Sequence, residues 1–278
     1  MIIDTLIFSG GGVKCLSFIG GLSYLNDHKY INKDLKDIKK IICVSGSLIF
    51  IIPLLIGYSL NETINLFCKY DFNNLITEEN ELLNNLLIDY GMYNNDCLCH
   101  ETEILLEKKN LPITLTLKQL YELNNIELLI KVINLTKGKN EYLSYETHPD
   151  LPLTTALQMT TCIPLLFRPI IYKNEYYIDG GVFKNFPIDK NINPNYFGMD
   201  TTEKNEIKNE INSIIDYLKT IVTMSFNREK IICKRSVYIK TNIHITDFNL
   251  SSEQKKNIIK LGYDTLNKHF NMHIHTDS

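Results

Sequence analysis

Three short segments, far apart in the chain, carry residue types that can do chemistry together. Ser9-Gly10-Gly11-Gly12-Val13-Lys14 is a glycine loop, Ile42-Cys43-Val44-Ser45-Gly46-Ser47 carries a serine after an apolar run, and Tyr177-Ile178-Asp179-Gly180-Gly181 carries an aspartate before two glycines. In this order they supply backbone N–H groups for an anion, a hydroxyl nucleophile and a carboxylate that can take the hydroxyl proton. That is the outline of serine-based acyl transfer.

Each segment also has a plainer reading. A strand followed by glycines and a helix can hold phosphate, but the dinucleotide pattern wants glycine at its first, third and sixth positions, and Gly10 and Gly12 are followed by Cys15 at the sixth. A P-loop fails too, since Lys14 is not part of a Gly-Lys-Ser/Thr ending. What remains is a turn near a helix N-terminus that favours negative charge. For an acyl-transfer oxyanion, one such donor is worth about 3 kcal/mol of barrier; taken alone, a triple glycine is as readily an ordinary tight turn.

Ser45 follows a buried-type strand and precedes an apolar helix, the setting of a nucleophile elbow. The full pattern has glycine two residues before and two after the serine, where Cys43 and Ser47 stand here. By itself such a serine is more often a helix N-cap. Ser47 is the rival nucleophile, ranked lower because it would lie inside the first helical turn. Asp179 ends a strand before glycines that can take positive φ and turn a carboxylate toward a cleft, although Asp-Gly alone is usually a turn former.

The elements that must position these groups read as a strand-helix-strand-helix series. Residues 2–8 form a strand, 15–25 a helix, 40–44 a buried strand and 48–56 an apolar helix, an order that calls for a parallel sheet covered on both faces. Further helices are expected over 61–66, 78–90, 117–124 and 152–160, and strands over 128–134 and 141–145. A hairpin joins 169–172 to 175–178 about Lys173-Asn174. Residues 207–233 read as mostly helical, 237–244 as a late strand, and 251–270 as a terminal helix capped by Ser251 or Ser252. Residues 271–278 read as a frayed tail. With no repeat or linker, residues 1–278 are expected to form a single domain.

With the three segments in this order, the chain resembles the patatin-like phospholipases. Gly10-Gly11-Gly12-Val13-Lys14 is similar to that family's oxyanion loop, Ser45 to its nucleophile, and Asp179-Gly180 to its base, within the run from Tyr176 to Pro187. Residues 156–167, with Pro164, resemble the block ahead of the base strand, and residues 247–263 the C-terminal end of viral and bacterial members. The resemblance implies a three-layer α/β/α fold with a mainly parallel sheet, a Ser-Asp dyad without histidine, and hydrolysis of acyl esters in lipids with no cofactor or metal. Cys15, Cys43 and Ser47 depart from the family's glycines. The resemblance then implies Gly10, Gly11 and Gly12 as the oxyanion loop, with Lys14 fixing that loop or offsetting local charge.

Two other readings stay open at this level. One is an α/β-hydrolase triad in the order Ser45, Asp179, His244. The other is a lipid-binding or regulatory relative that has lost catalysis. Leu165, Leu166, Phe183 and Phe186 suit either an acyl-chain cleft or the core.

Composition narrows the partners. The formal net charge is −3, from 29 basic and 32 acidic residues without a long like-charge block, which argues against nucleic acid. Seven scattered cysteines and no signal-peptide pattern at the start suggest a reducing, intracellular setting. The apolar run 48–58 is about half the length a bilayer-spanning helix needs. Lys204, Lys208 and Lys219 fit either a membrane surface or a solvated helix face. Cys97-Leu98-Cys99-His100 lacks a second ligand pair at zinc spacing and reads as isolated thiols in a loop. Oligomeric state is left open.

Overall fold

The structure, a computed structural model, describes residues 2–32, 35–75, 81–190, 193–202, 211–214, 217–218, 220–221, 235–245 and 247–274. The chain opens with β1 (Thr5–Phe8), α1 (Leu16–Asp27), β2 (Lys40–Val44), α2 (Gly46–Leu55), α3 (Leu60–Lys69) and α4 (Leu82–Asp89). It continues with β3 (Gly91–Tyr93), α5 (Asp96–Lys108), α6 (Leu117–Asn124), β4 (Glu127–Asn134), β5 (Lys139–Leu143) and α7 (Leu153–Thr161). It closes with β6 (Leu165–Phe167), β7 (Ile170–Tyr172), β8 (Glu175–Asp179), β9 (Tyr196–Asp200), β10 (Ser236–Tyr238) and α8 (Ser252–Ile274).

Strands β10, β9, β1, β2 and β4 are parallel neighbours, while β5 and β8 run antiparallel to β4, and β7 antiparallel to β8. β3 and β6 form a separate parallel pair. Strand alternation sorts side chains between the two faces of the sheet. Leu6, Phe8, Ile41, Cys43, Leu128, Ile130 and Val132 enter the main core with α1, α2, α3 and α8. The intervening Ile7, Ile42 and Leu129 point the other way, onto a smaller cluster with Phe186. The result is the three-layer α/β/α arrangement with a mostly parallel sheet.

The register of β4 places the functional strands. β5 occupies one edge of β4 along residues 130–134, so β2 and β8 share the other edge. They run toward each other along it and end next to one another, Val44 beside Lys131 and Asp179 beside Val132.

Several expectations shift in detail. The hairpin forms as read, with Lys173 and Asn174 both at positive φ, the geometry of a type I′ turn. The late strand is only Ser236–Tyr238: the chain then leaves the sheet to bring the Ile245 carbonyl onto the Val13 N–H, 3.3 Å away. β9 went unread because Gly198 interrupts its apolar run; the Phe186 ring fills the space where a side chain at that position would lie. Cys97, Cys99 and His100 sit on α5, not in a loop, and the overlooked signal was the i, i+4, i+8 spacing of buried Leu98, Thr102 and Leu106. The terminal helix continues through Ile274, with Ser251 Oγ accepting from the Gln254 N–H at 3.2 Å and Gln254 Oε1 accepting from the Ser251 N–H at 2.8 Å. Most of 207–233, including Lys208 and Lys219, and also Lys204 and 275–278, lie outside the described residues.

Candidate active site

Ser45 sits on the turn between β2 and α2 with φ 57° and ψ −138°, a conformation that costs a non-glycine residue about 1–3 kcal/mol and persists only where its surroundings impose it. Those surroundings are specific. The Ser45 N–H donates to Thr160 Oγ1 at 2.8 Å, and that hydroxyl donates on to the Lys131 carbonyl at 2.8 Å. Ser47, the rival nucleophile, is used up locally: its hydroxyl donates to the Val44 carbonyl at 2.6 Å and accepts from the Val44 N–H at 3.0 Å. Cys43 is buried in the core, its thiol pushed well above its ordinary pKa by burial. Both departures from glycine are therefore accommodated, one as packing and one as a clasp on the turn.

The Ser45 hydroxyl donates to Asp179 Oδ2 at 2.6 Å. The other carboxylate oxygen, Oδ1, accepts from the Gly181 N–H at 2.7 Å. Asp179 is fully buried, and burial raises its pKa to about 7; the bonds from Ser45 and Gly181 and the charge of Lys131 oppose that rise. A carboxylate so placed is a far stronger base than an exposed one. The direct contact leaves no place for an imidazole between serine and carboxylate. His244 lies elsewhere: its backbone N–H donates to Asp247 Oδ2, and the charges acting on its ring are Asp247 and Lys14.

The glycine loop lies against this pair. The Gly10 carbonyl accepts from Asn185 Nδ2 at 2.9 Å, Thr201 Oγ1 at 3.1 Å and Ser9 Oγ at 3.0 Å. In a trans peptide the C=O and the following N–H point opposite ways, so anchoring that carbonyl turns the Gly11 N–H away from those three donors. Among the described hydrogen bonds the N–H groups of Gly11 and Gly12 have no protein acceptor, whereas that of Gly10 donates to the Asn185 carbonyl at 3.3 Å. Gly10 thus shapes the loop and leaves the Gly11 and Gly12 N–H groups unengaged by any acceptor among the described residues. Gly12 has φ +53°, and a β-carbon on it would meet the Ile245 carbonyl oxygen at 2.0 Å. Lys14 is buried and does not line the cleft.

An open, mostly apolar cleft is lined by Gly12, Ser45, Gly46, Ile49, Phe50, Phe72, Leu98, Ile163, Phe167, Ile245 and Phe248. The four residues read as a possible acyl cleft are not among its walls: Leu165 and Leu166 pack in a cluster beside it, Phe186 lies in the cluster on the sheet's other face, and Phe183 is half-exposed. Thr160, Lys131, Asn185 and Thr201 escaped the sequence reading. Thr160 and Asn185 fell within noted blocks, residues 156–167 and 176–187, but without a role.

A model of the patatin-like phospholipases matches residues 6–192 of the chain. The probable lipid hydrolase 463L of Invertebrate iridescent virus 6 is 33% identical over 187 residues, 66% of this chain and 62% of that relative, so the chain spans less than two thirds of its length. The uncharacterized protein R571 of Acanthamoeba polyphaga mimivirus is 28% identical, covering 94% of this chain and 91% of R571. Among solved structures, VipD from Legionella pneumophila matches with a TM-score of 0.66 at 18% identity, over 98% of this chain and 67% of VipD, a likeness of fold.

Proposed function

The chain belongs to the patatin-like phospholipase family, and from that premise we propose that it hydrolyses carboxylic esters of lipids through a Ser45–Asp179 dyad and an acyl-enzyme. The observation that carries the reading is the 2.6 Å bond from the Ser45 hydroxyl to the Asp179 carboxylate, at the head of an apolar cleft.

The steps follow from the geometry. Ser45 Oγ attacks the ester carbonyl carbon as its proton passes to Asp179 Oδ2. The N–H groups of Gly11 and Gly12 hold the resulting oxyanion. Collapse breaks the bond to the alcohol, which leaves with the proton from Asp179, and the acyl group stays on Ser45. Asp179 then takes a proton from water as the water oxygen attacks the acyl carbon, and a second collapse returns that proton to Ser45 Oγ and frees the fatty acid. Gly10 and Lys14 support the loop from behind.

Residues 1–278 are read as a single domain. β9, which lies beyond the matched segment, pairs with β1 inside the same sheet, and α8 packs against α1. Among the described residues no helix is long and apolar enough to cross a membrane, which suits an enzyme that meets its lipid substrate at a surface.

The test is fluorophosphonate labelling of wild type and Ser45→Ala, paired with phospholipid hydrolysis by wild type and Asp179→Asn. Labelling of the wild type but not of Ser45→Ala, with hydrolysis lost in Asp179→Asn, is expected. A wild type that neither labels nor hydrolyses would leave only the regulatory reading.

A further inference from the structure

A buried lysine stands where the two functional strands meet. Lys131 is 1% exposed, on the central strand β4. It pairs with Val44, the residue before Ser45, and its neighbour Val132 pairs with Asp179. Its carbonyl takes the Thr160 hydroxyl that supports the Ser45 N–H, and Gly180 passes so close that a β-carbon there would lie 2.3 Å from the same carbonyl oxygen. Its ammonium donates to the carbonyls of Phe183 and of Lys184, the latter at 2.6 Å, just beyond the Asp179-Gly180-Gly181 turn. Lys184 has φ 57°, so the backbone is held in a left-handed turn where the ammonium binds it.

Burying a cation among carbonyls is costly unless an anion shares the site. Asp179 ends the strand beside Val132, the next residue along β4, and the Lys131 charge acts on its carboxylate. The other titratable groups facing Asp179 are the Cys15 thiol, on the turn after the glycine loop, and the Cys162 thiol, at the end of α7; burial keeps both protonated. On the β5 side, Tyr142 pairs with Lys131, and its phenol is likewise held neutral by burial.

We propose that Lys131 is a positioning residue for the Ser45–Asp179 pair: its ammonium fixes the chain that follows Asp179, and its positive charge favours the ionised carboxylate. The proposal rests on the reading of Asp179 as the base. Nothing in it requires Lys131 to touch substrate.

The experiment is the pH profile of kcat/KM on a soluble ester for wild type, Lys131→Met and Lys131→Gln. Removing an opposite charge raises a carboxylate pKa, so the acid limb should move to higher pH in both variants. Lys131→Gln keeps a donor for the carbonyls and separates charge from hydrogen bonding. A limb that stays at the wild-type position while kcat alone falls would show a purely structural lysine and overturn the proposal. In the wild type itself, the ¹⁵Nζ resonance of Lys131 should be that of an ammonium wherever the enzyme is active; an amine signal there overturns the proposal even if neither variant folds. Activity retained by Asp179→Asn would instead remove the base reading, which separates the two failures.

Discussion

Ser45 and Asp179, 134 positions apart, meet because β2 and β8 run toward each other along one edge of β4 and stop beside adjacent residues, Lys131 and Val132. A parallel neighbour and an antiparallel one share a single edge. The gap between their ends is where the hydroxyl and the carboxylate come into contact.

Gly46, the residue after Ser45, packs directly against the backbone of the glycine loop. A β-carbon on Gly46 would fall 2.8 Å from both the Cα and the carbonyl oxygen of Gly12, and backbone cannot rotate out of the way as a side chain can. Gly46→Ala should displace the oxyanion loop from Ser45 and lower kcat by about 10²-fold, the usual consequence of a misplacement near 1 Å. Steady-state kinetics with circular dichroism checks it; a folded variant with wild-type kcat would count against donation from this loop.

Titration should report the buried base. In the proposed mechanism ionised Asp179 is the active form, so kcat/KM should rise with pH through a limb near 7. Stability should move the other way. The folded pKa lies above the unfolded one, so between about 4 and 7 the native state binds more protons, and this group's contribution, full below that window, is lost as pH rises through it. Urea unfolding of wild type against Asp179→Asn should show the wild type losing on the order of 4 kcal/mol relative to the variant from low to high pH. A difference independent of pH would contradict a raised pKa.

Thr160 separates support of the turn from chemistry. Thr160→Val removes the acceptor for the Ser45 N–H and the donor to the Lys131 carbonyl. A loss of about 1–3 kcal/mol is expected from the stranded groups, together with a fall in kcat as Ser45 relaxes from its positive φ. Thr160→Ser should restore both, as read by denaturant titration and ester hydrolysis.

His244 offers the opposite result. Its place beside Asp247 and Lys14 predicts that His244→Ala keeps kcat/KM within a few-fold of wild type. Loss of the acyl-enzyme step in a burst assay would revive the triad.

Ile49, one helical turn from Ser45 on the cleft wall, should control acyl length. Ile49→Trp narrows the cleft, so kcat/KM should fall more for a decanoyl than for an acetyl ester. Equal losses would place the acyl chain elsewhere.

The amino-acid sequence by itself determined the local chemistry and the local elements: a glycine loop before a helix, a serine after a buried strand, an aspartate before two glycines, and the strand and helix periods around them. These are properties of neighbouring residues, set by φ/ψ freedom and side-chain alternation, and so are legible along the chain. What only the tertiary structure decided is which groups touch. Lys131 and Thr160 look like an ordinary strand residue and an ordinary helix residue until β4 lines up with the ends of β2 and β8. The walls of the cleft likewise come from α2, α5, Phe72, Ile163, Phe167 and the segment after β10, not from Leu165, Leu166, Phe183 or Phe186. Such contacts depend on strand register and burial across more than a hundred intervening residues, and neither quantity is written in local spacing.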